Sequence, residues 1–372
     1  MTSRIEKLNG IAKAKRVDAF LITSAASLKY LSCYFFYFEY GPSPFQFLPA
    51  ALFVTPGKTA SLVIADNELQ QLVNIHPDIS IKPYSSYAYE TPLEFTSQFL
   101  IQLKQVVKQT RIDITQIGVE LNSFPLAIAQ SLISQFPEVE FVDITADIAD
   151  CRMVKDNDEI DFIRKAARLS DIGQASVLTH AKPGITELEL FNLVRDNIEA
   201  SVGKRVPLMA DLSSGINTSS GGGMPTNKII NTGDLILSDF TPCLNGYWGD
   251  SCNTIVVGDP TASQKKNFTL VREALEIGIN AIRPGVQALE IDALMRKHIG
   301  NYPHHSGHGV GTMNHEEPRI VPYNKIELQP NMVIALEPAI YEKDFGIRLE
   351  HLVVVTETGC EVLTKFQHCF EQ

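Results

Sequence analysis

Two stretches of this chain repeat one another. Pro183-Gly184-Ile185-Thr186-Glu187-Leu188-Glu189 and its continuation to Ile198 line up with Pro284-Gly285-Val286-Gln287-Ala288-Leu289-Glu290 and its continuation to Ile299, seven of sixteen positions matching at a constant offset of 101 residues. In each copy a Pro-Gly turn leads into an amphipathic helix, and in the first the pair Thr186 and Glu189 reads as a capping box. Strands ending in carboxylates follow each copy. A one-faced helix must bury that face on something else, so the repeat predicts two helix-plus-sheet halves paired about a pseudo-twofold axis. Two copies are too few for a solenoid.

With 372 residues the chain has room for two domains or more. Up to residue 145, short apolar runs (18–23, 50–55, 60–65, 116–120 and 138–143) alternate with helical stretches, which predicts an N-terminal α/β domain over 1–145. Thr91-Pro92-Leu93-Glu94 reads there as a capping box opening a helix that runs to about Gln109. A second domain, α+β in texture, is expected over 146–372. It begins with a helix burying Phe162, Ala166, Leu169 and Gly173, and it turns to strands after Gly233 with turns at Asn245-Gly246 and Gly258-Asp259-Pro260. An aromatic-rich stretch (Phe35, Phe36, Tyr37, Phe38, Tyr40, Phe45, Phe47) suits a pocket wall, an interface or a core.

The net charge of −11 argues against nucleic acid as the main partner and leaves room for carboxylates that hold cations. No apolar run approaches the roughly 18 residues of a membrane span, and residues 1–15 lack the apolar centre of a signal peptide, so a soluble, cytoplasmic protein is expected. Six scattered cysteines without a CxxC pair read as reduced thiols.

Chemistry concentrates in four segments of the second domain. In Leu235-Ile-Leu-Ser-Asp239 the acid shares a strand face with Leu237 and Leu235, where a lone charge is expensive. Asp250 follows across the Asn245-Gly246 turn. Val333-Ile-Ala-Leu-Glu337 repeats the arrangement, and Arg348-Leu-Glu350 is expected to open the apolar strand that continues through Val355. The fourth segment, His304-His305-Ser306-Gly307-His308-Gly309-Val310-Gly311 followed by His315-Glu316, lies in a region holding six of the nine histidines. Glycines beside His308 read as a loop in which backbone approaches a ligand closely. Four buried acids brought together are untenable unless cations neutralise them. With one imidazole, such a set suits two divalent ions sharing an activated water, and hence metal-assisted hydrolysis. Oxygen-rich ligation with one nitrogen favours Mn, Fe or Co and is compatible with Zn.

At these residues the sequence resembles the pita-bread metallopeptidases (family M24), in the prolidase and Xaa-Pro aminopeptidase branch with a creatinase-like N-terminal domain. The segments around Asp239, Asp250, His308, Glu337 and Glu350 match that family's Asp, Asp, His, Glu, Glu order. The resemblance implies that these five hold two divalent metal ions, Mn most readily, with Asp250 and Glu350 bridging. It also implies a metal-bridged hydroxide acting on Xaa-Pro bonds as dipeptidase or aminopeptidase. His315 and His304 match substrate-side histidines, and Arg348 an arginine that faces a substrate or product carboxylate. A homodimer acting on small peptides, without nucleic-acid or membrane partners, is likewise implied. One departure stands out: the loop that usually carries a histidine reads Gly221-Gly222-Gly223-Met224-Pro225-Thr226. That gap keeps a second reading open, an amidohydrolase of the same fold acting on a small non-peptide substrate such as a cyclic amidine. A non-catalytic binding domain is a third, disfavoured by the complete ligand set.

Overall fold

Alternate residues of the N-terminal apolar runs face opposite sides of one sheet. The computed structural model describes residues 2–35, 49–72, 75–110 and 113–371, and the chain divides into two units, Met1–Arg152 and Met153–Gln372. Of the aromatic-rich stretch, only Phe35 is among the described residues. The first unit runs α1 (Thr2–Lys15), β1 (Ala19–Ile22), α2 (Ala25–Ser32), β2 (Ala51–Thr55), β3 (Thr59–Ala65), β4 (Ile79–Tyr84), α3 (Phe95–Gln109), β5 (Gln116–Val119), α4 (Leu126–Gln135), β6 (Glu140–Asp143) and α5 (Thr145–Met153). Its six strands form one mixed sheet in the order β4-β3-β2-β1-β5-β6. Phe20, Ile22, Leu52 and Val54 pack on one face with Leu8 of α1 and Leu31 of α2. Ala19, Leu21 and Phe53 pack on the other with Phe99 of α3 and Leu132 of α4. This is the three-layer α/β solution for strands buried on both faces. Helix α3 starts later than the Thr91 reading predicts. Its cap is Glu94, whose carboxylate accepts from the Thr96 N–H at 3.1 Å and the Ser97 N–H at 2.6 Å.

The second unit contains α6 (Asn157–His180), α7 (Glu187–Val202), β7 (Leu208–Ser214), β8 (Leu235–Leu244), β9 (Tyr247–Trp248), β10 (Cys252–Val256), α8 (Ala262–Ala281), α9 (Ala288–Ile299), β11 (Gly307–Gly309), β12 (Glu316–Ile320), β13 (Val333–Leu336), β14 (Ala339–Tyr341), β15 (Gly346–Arg348), β16 (His351–Val355) and β17 (Cys360–Val362). Strands β10-β8-β7 form one sheet, with β9 paired to β8, and β12-β11-β13-β16-β17 form another. Both copies of the sequence repeat are capped helices, α7 by Thr186 with Glu189 and α9 by Gln287 with Glu290.

The duplication extends to individual backbone bonds. Gly184 N–H donates to Ile230 O, Ile230 to Ile185, Glu187 to Lys228 and Leu188 to Thr226. The second half repeats all four, Gly285 to Leu328, Leu328 to Val286, Ala288 to Ile326 and Leu289 to Asn324. Each half has its own core. Leu190, Val194, Ile236 and Phe240 anchor the first, and Ile291, Met295, Ile334 and Leu336 the second.

Two local features differ from expectation. Arg348 lies on β15, which pairs with β14, so Glu350 falls at the break between β15 and β16 rather than opening a continuous strand. His308 is not on a loop: β11 lies between β12 and β13. Its flanking glycines admit neighbouring backbone, since a Cβ at Gly307 would stand 2.1 Å from Ala335 O and one at Gly309 2.3 Å from Glu317 O.

Candidate metal centre

Strand geometry brings the five acid and histidine residues to one cavity of about 770 Å³. Asp239 sits mid-strand on β8, opposite Asp211 of β7 on one side and Cys252 of β10 on the other. Asp250 lies past the β8–β9 hairpin, whose Asn245 and Gly246 both take positive φ (52° and 84°) as a type I′ turn requires. Glu337 follows β13 directly, its N–H bonded to Ser306 O, and the Glu350 N–H bonds to Cys252 O at 2.9 Å.

Side chains then converge. His308 is 2 % exposed, and its Nδ1–H donates to Gly309 O at 3.0 Å, which leaves the Nε2 lone pair free. That Nε2 stands 3.5 Å from Glu337 Oε1 and 3.7 Å from Asp250 Oδ2. Ligand atoms of Asp250, His308 and Glu350 all lie within 4.8 Å of one another. Asp250 Oδ1 accepts from the Thr241 hydroxyl at 2.9 Å, whereas Glu350 Oε2 is buried with no hydrogen-bond partner.

Electrostatics show what the cluster lacks. Burial pushes Asp250 well above the usual carboxylate range, and the neighbouring Asp239 charge adds to it. Glu350 is raised in the same way by burial and then by Asp250. Asp239 rises to about 6 through burial, with Arg348 pulling against it. Glu337 alone is held low. Burial acts upward on it, but the His305 hydrogen bond and the charges of His308 and Arg348 outweigh burial. Burial lowers His308 to about 4, so its imidazole is neutral near pH 7, the form in which it ligates a cation. Four acids facing one arginine, an orphaned carboxylate oxygen and a neutral imidazole lone pair fit divalent cations with mostly oxygen ligands.

The other expected site residues divide. His315 lies beside the centre, its ring 4.1 Å from that of His308, with Nδ1 turned to Asn314. His304 has both nitrogens engaged: Nδ1–H donates to His305 O at 2.7 Å, and Nε2 accepts from the Tyr341 hydroxyl at 2.9 Å. Arg348 faces protein groups. Its Nη2 lies 2.6 Å from Asp239 and 3.3 Å from Asp211, and its Nη1 donates to Gly221 O and to the Tyr341 hydroxyl. Asp211 and His305, whose Nε2 is 2.8 Å from Glu337 Oε1, line the cavity, and Tyr341 touches His304 and Arg348; the sequence reading did not single out these three. Asp211 left one trace, an acid inside a largely apolar strand.

Matches to known families agree with this geometry. Residues 161–357 match metallopeptidase family M24, and residues 4–154 match the creatinase/prolidase N-terminal domain. The chain belongs to metallopeptidase family M24. As a family member it is a metal-dependent hydrolase, and the family implies divalent metal ions. An uncharacterized peptidase of Bacillus subtilis, YqhT, is 30 % identical over 74 % of this chain and 84 % of that protein. A Xaa-Pro dipeptidase of Pyrococcus furiosus is 28 % identical over 98 % of each chain. Among solved structures, X-Pro aminopeptidase from Thermotoga maritima superposes with a TM-score of 0.82, at 26 % identity and covering 97 % of this chain and 99 % of that one. A Xaa-Pro dipeptidase from Bacillus anthracis does so at 0.85, with 25 % identity and 100 % and 99 % coverage. The two-domain M24 architecture, an α/β domain followed by a pita-bread domain, is thus common to this chain and these proteins. No helix among the described residues is long and apolar enough to cross a membrane.

Proposed function

We propose that this chain hydrolyses Xaa-Pro peptide bonds, with two divalent cations held by Asp239, Asp250, His308, Glu337 and Glu350. The observation that carries the reading is the buried Asp250–His308–Glu350 cluster, whose ligand atoms lie within 4.8 Å while Glu350 Oε2 lacks any protein partner. Support comes from full-length relatives that are Xaa-Pro dipeptidases. Bound divalent ions supply Lewis acidity and lower the pKa of water toward neutrality. The chain supplies the rest. Thr241 and Arg348 orient Asp250 and Asp239. His315, exposed beside His308, offers the ring that meets the scissile carbonyl and stabilises charge developing on its oxygen. The pairing of His304 with Tyr341 makes that histidine a support for the wall, and Phe191, Leu208 and Met209 provide an apolar surface for side chains. An X-Pro bond is a tertiary amide with no N–H, so a dedicated pocket is required to seat it.

The test is proline release from Xaa-Pro dipeptides, and cleavage of their amides, by metal-stripped protein refilled with Mn²⁺, with Asp239→Asn as control. Metal-dependent cleavage lost in the variant is expected. Absence of cleavage by protein that holds its metals contradicts the proposal. The second reading, hydrolysis of a small cyclic amidine, draws on the three glycines at 221–223, which put no side chain over the cavity; turnover of such a compound alone would favour it.

A further inference from the structure

Arg348 is the one lysine or arginine among the described residues lining the cavity, and so the one permanent cation available to a substrate carboxylate. Its two Nη groups are already committed, and its Nε is buried without a hydrogen-bond partner. Nη2 serves Asp239 and Asp211, Nη1 serves Gly221 O and Tyr341, and Nε is buried facing Glu337 Oε2 at 3.9 Å. The side chain is 8 % exposed.

Asp211 holds the arginine in this arrangement. It lies directly across the β7–β8 ladder from Asp239, and like charges in that position repel unless a cation stands between them, as Arg348 does. Room for it comes from Gly222, at φ +123°, where a Cβ would meet Asp211 Oδ2 at 2.3 Å. With a 39 % exposed side chain, Asp211 also presents a fifth carboxylate to a cavity already walled by Asp239, Asp250, Glu337 and Glu350. In the metal-loaded protein the cations offset those four acids and Asp211 offsets Arg348, so the carboxylate that a free Xaa-Pro dipeptide carries one residue from the scissile bond finds no unpaired basic side chain. A peptide that continues past proline, or ends there in an amide, brings no such charge.

We propose that Asp211 is a specificity-determining residue: it occupies Arg348 and so turns the pocket toward Xaa-Pro substrates extended or amidated beyond proline, away from free dipeptides. This rests on the Xaa-Pro reading above. The experiment compares kcat/KM of the Mn²⁺-loaded protein for one Xaa-Pro dipeptide, its amide and a tripeptide extended by one residue, in wild type and Asp211→Asn. Wild type is expected to favour amide and tripeptide by about tenfold, the size of one charge-assisted interaction. Asp211→Asn is expected to raise the dipeptide relative to the amide by about the same factor, through KM. A wild-type preference for the free dipeptide overturns the inference without the variant, and so does a variant that changes all three substrates in proportion. Cleavage of none of them overturns the Xaa-Pro reading itself, and this inference with it.

Discussion

The Glu187 carboxylate, wholly buried at the start of α7, takes both the N–H of Thr226 at 3.0 Å and its hydroxyl at 2.7 Å. Its other oxygen takes the Ser214 N–H at 2.7 Å and hydroxyl at 2.8 Å. One side chain therefore clamps both ends of the segment that carries the three glycines past the cavity. Glu187→Ala leaves several buried donors unmet, and about 3 kcal/mol of stability should be lost. Urea unfolding checks the loss, and KM for any cleaved substrate should rise as the segment loosens.

Lys155 and Glu316 form an ion pair at 3.1 Å with side chains only 1 % and 3 % exposed. Removing one partner strands the other charge, so Lys155→Met should destabilise the protein by about 3–5 kcal/mol. Because Glu316 adjoins His315, activity should fall as well. Denaturant midpoints and initial rates measure the two effects separately.

Acid sensitivity follows from a pair of half-buried histidines, His351 and His368, with rings 4.2 Å apart. Burial lowers His351 to about 3 and His368 to about 4. In the unfolded chain both titrate near the usual histidine value of about 6.5. Between that value and the folded ones, unfolding takes up protons, so stability is fully present above pH about 6.5 and is lost as pH falls toward 4. His368→Gln removes one such group, and the difference in unfolding free energy between pH 7.5 and pH 5 should narrow; an unchanged difference would contradict this account.

Asp239 and Glu337 were legible because a carboxylate closing an apolar strand is costly on the letters alone, and two of them in two related halves compound the cost. The repeat was legible for a similar reason: each copy carries its own turn, cap and apolar face. What stayed hidden depends on register. Asp211 is as odd in its strand as Asp239, but its role comes from the β7–β8 pairing and from a contact with Arg348, 137 positions away. Glycines around His308 admit a neighbour, and composition does not say whether that neighbour is a ligand or, as here, the next strand. Glu350 looked continuous with its apolar strand because nothing local marks the change of partner from β14 to β13. The start of α3 differs for a still more local reason: Glu94, next to the first residue that enters the helix, accepts from the Thr96 and Ser97 N–H groups and so caps it in place of Thr91.

Metal content is the most direct test of the central claim that the buried acids and His308 are a cation site. Stripped protein would be titrated with Mn²⁺ by calorimetry, and bound ions counted after desalting, for wild type and Glu350→Gln. The account predicts about two ions per wild-type chain, with at least one lost or greatly weakened in the variant, because Glu350 would be one of the carboxylates that hold them. No bound ion in folded wild type, or an undiminished count in Glu350→Gln, would contradict it.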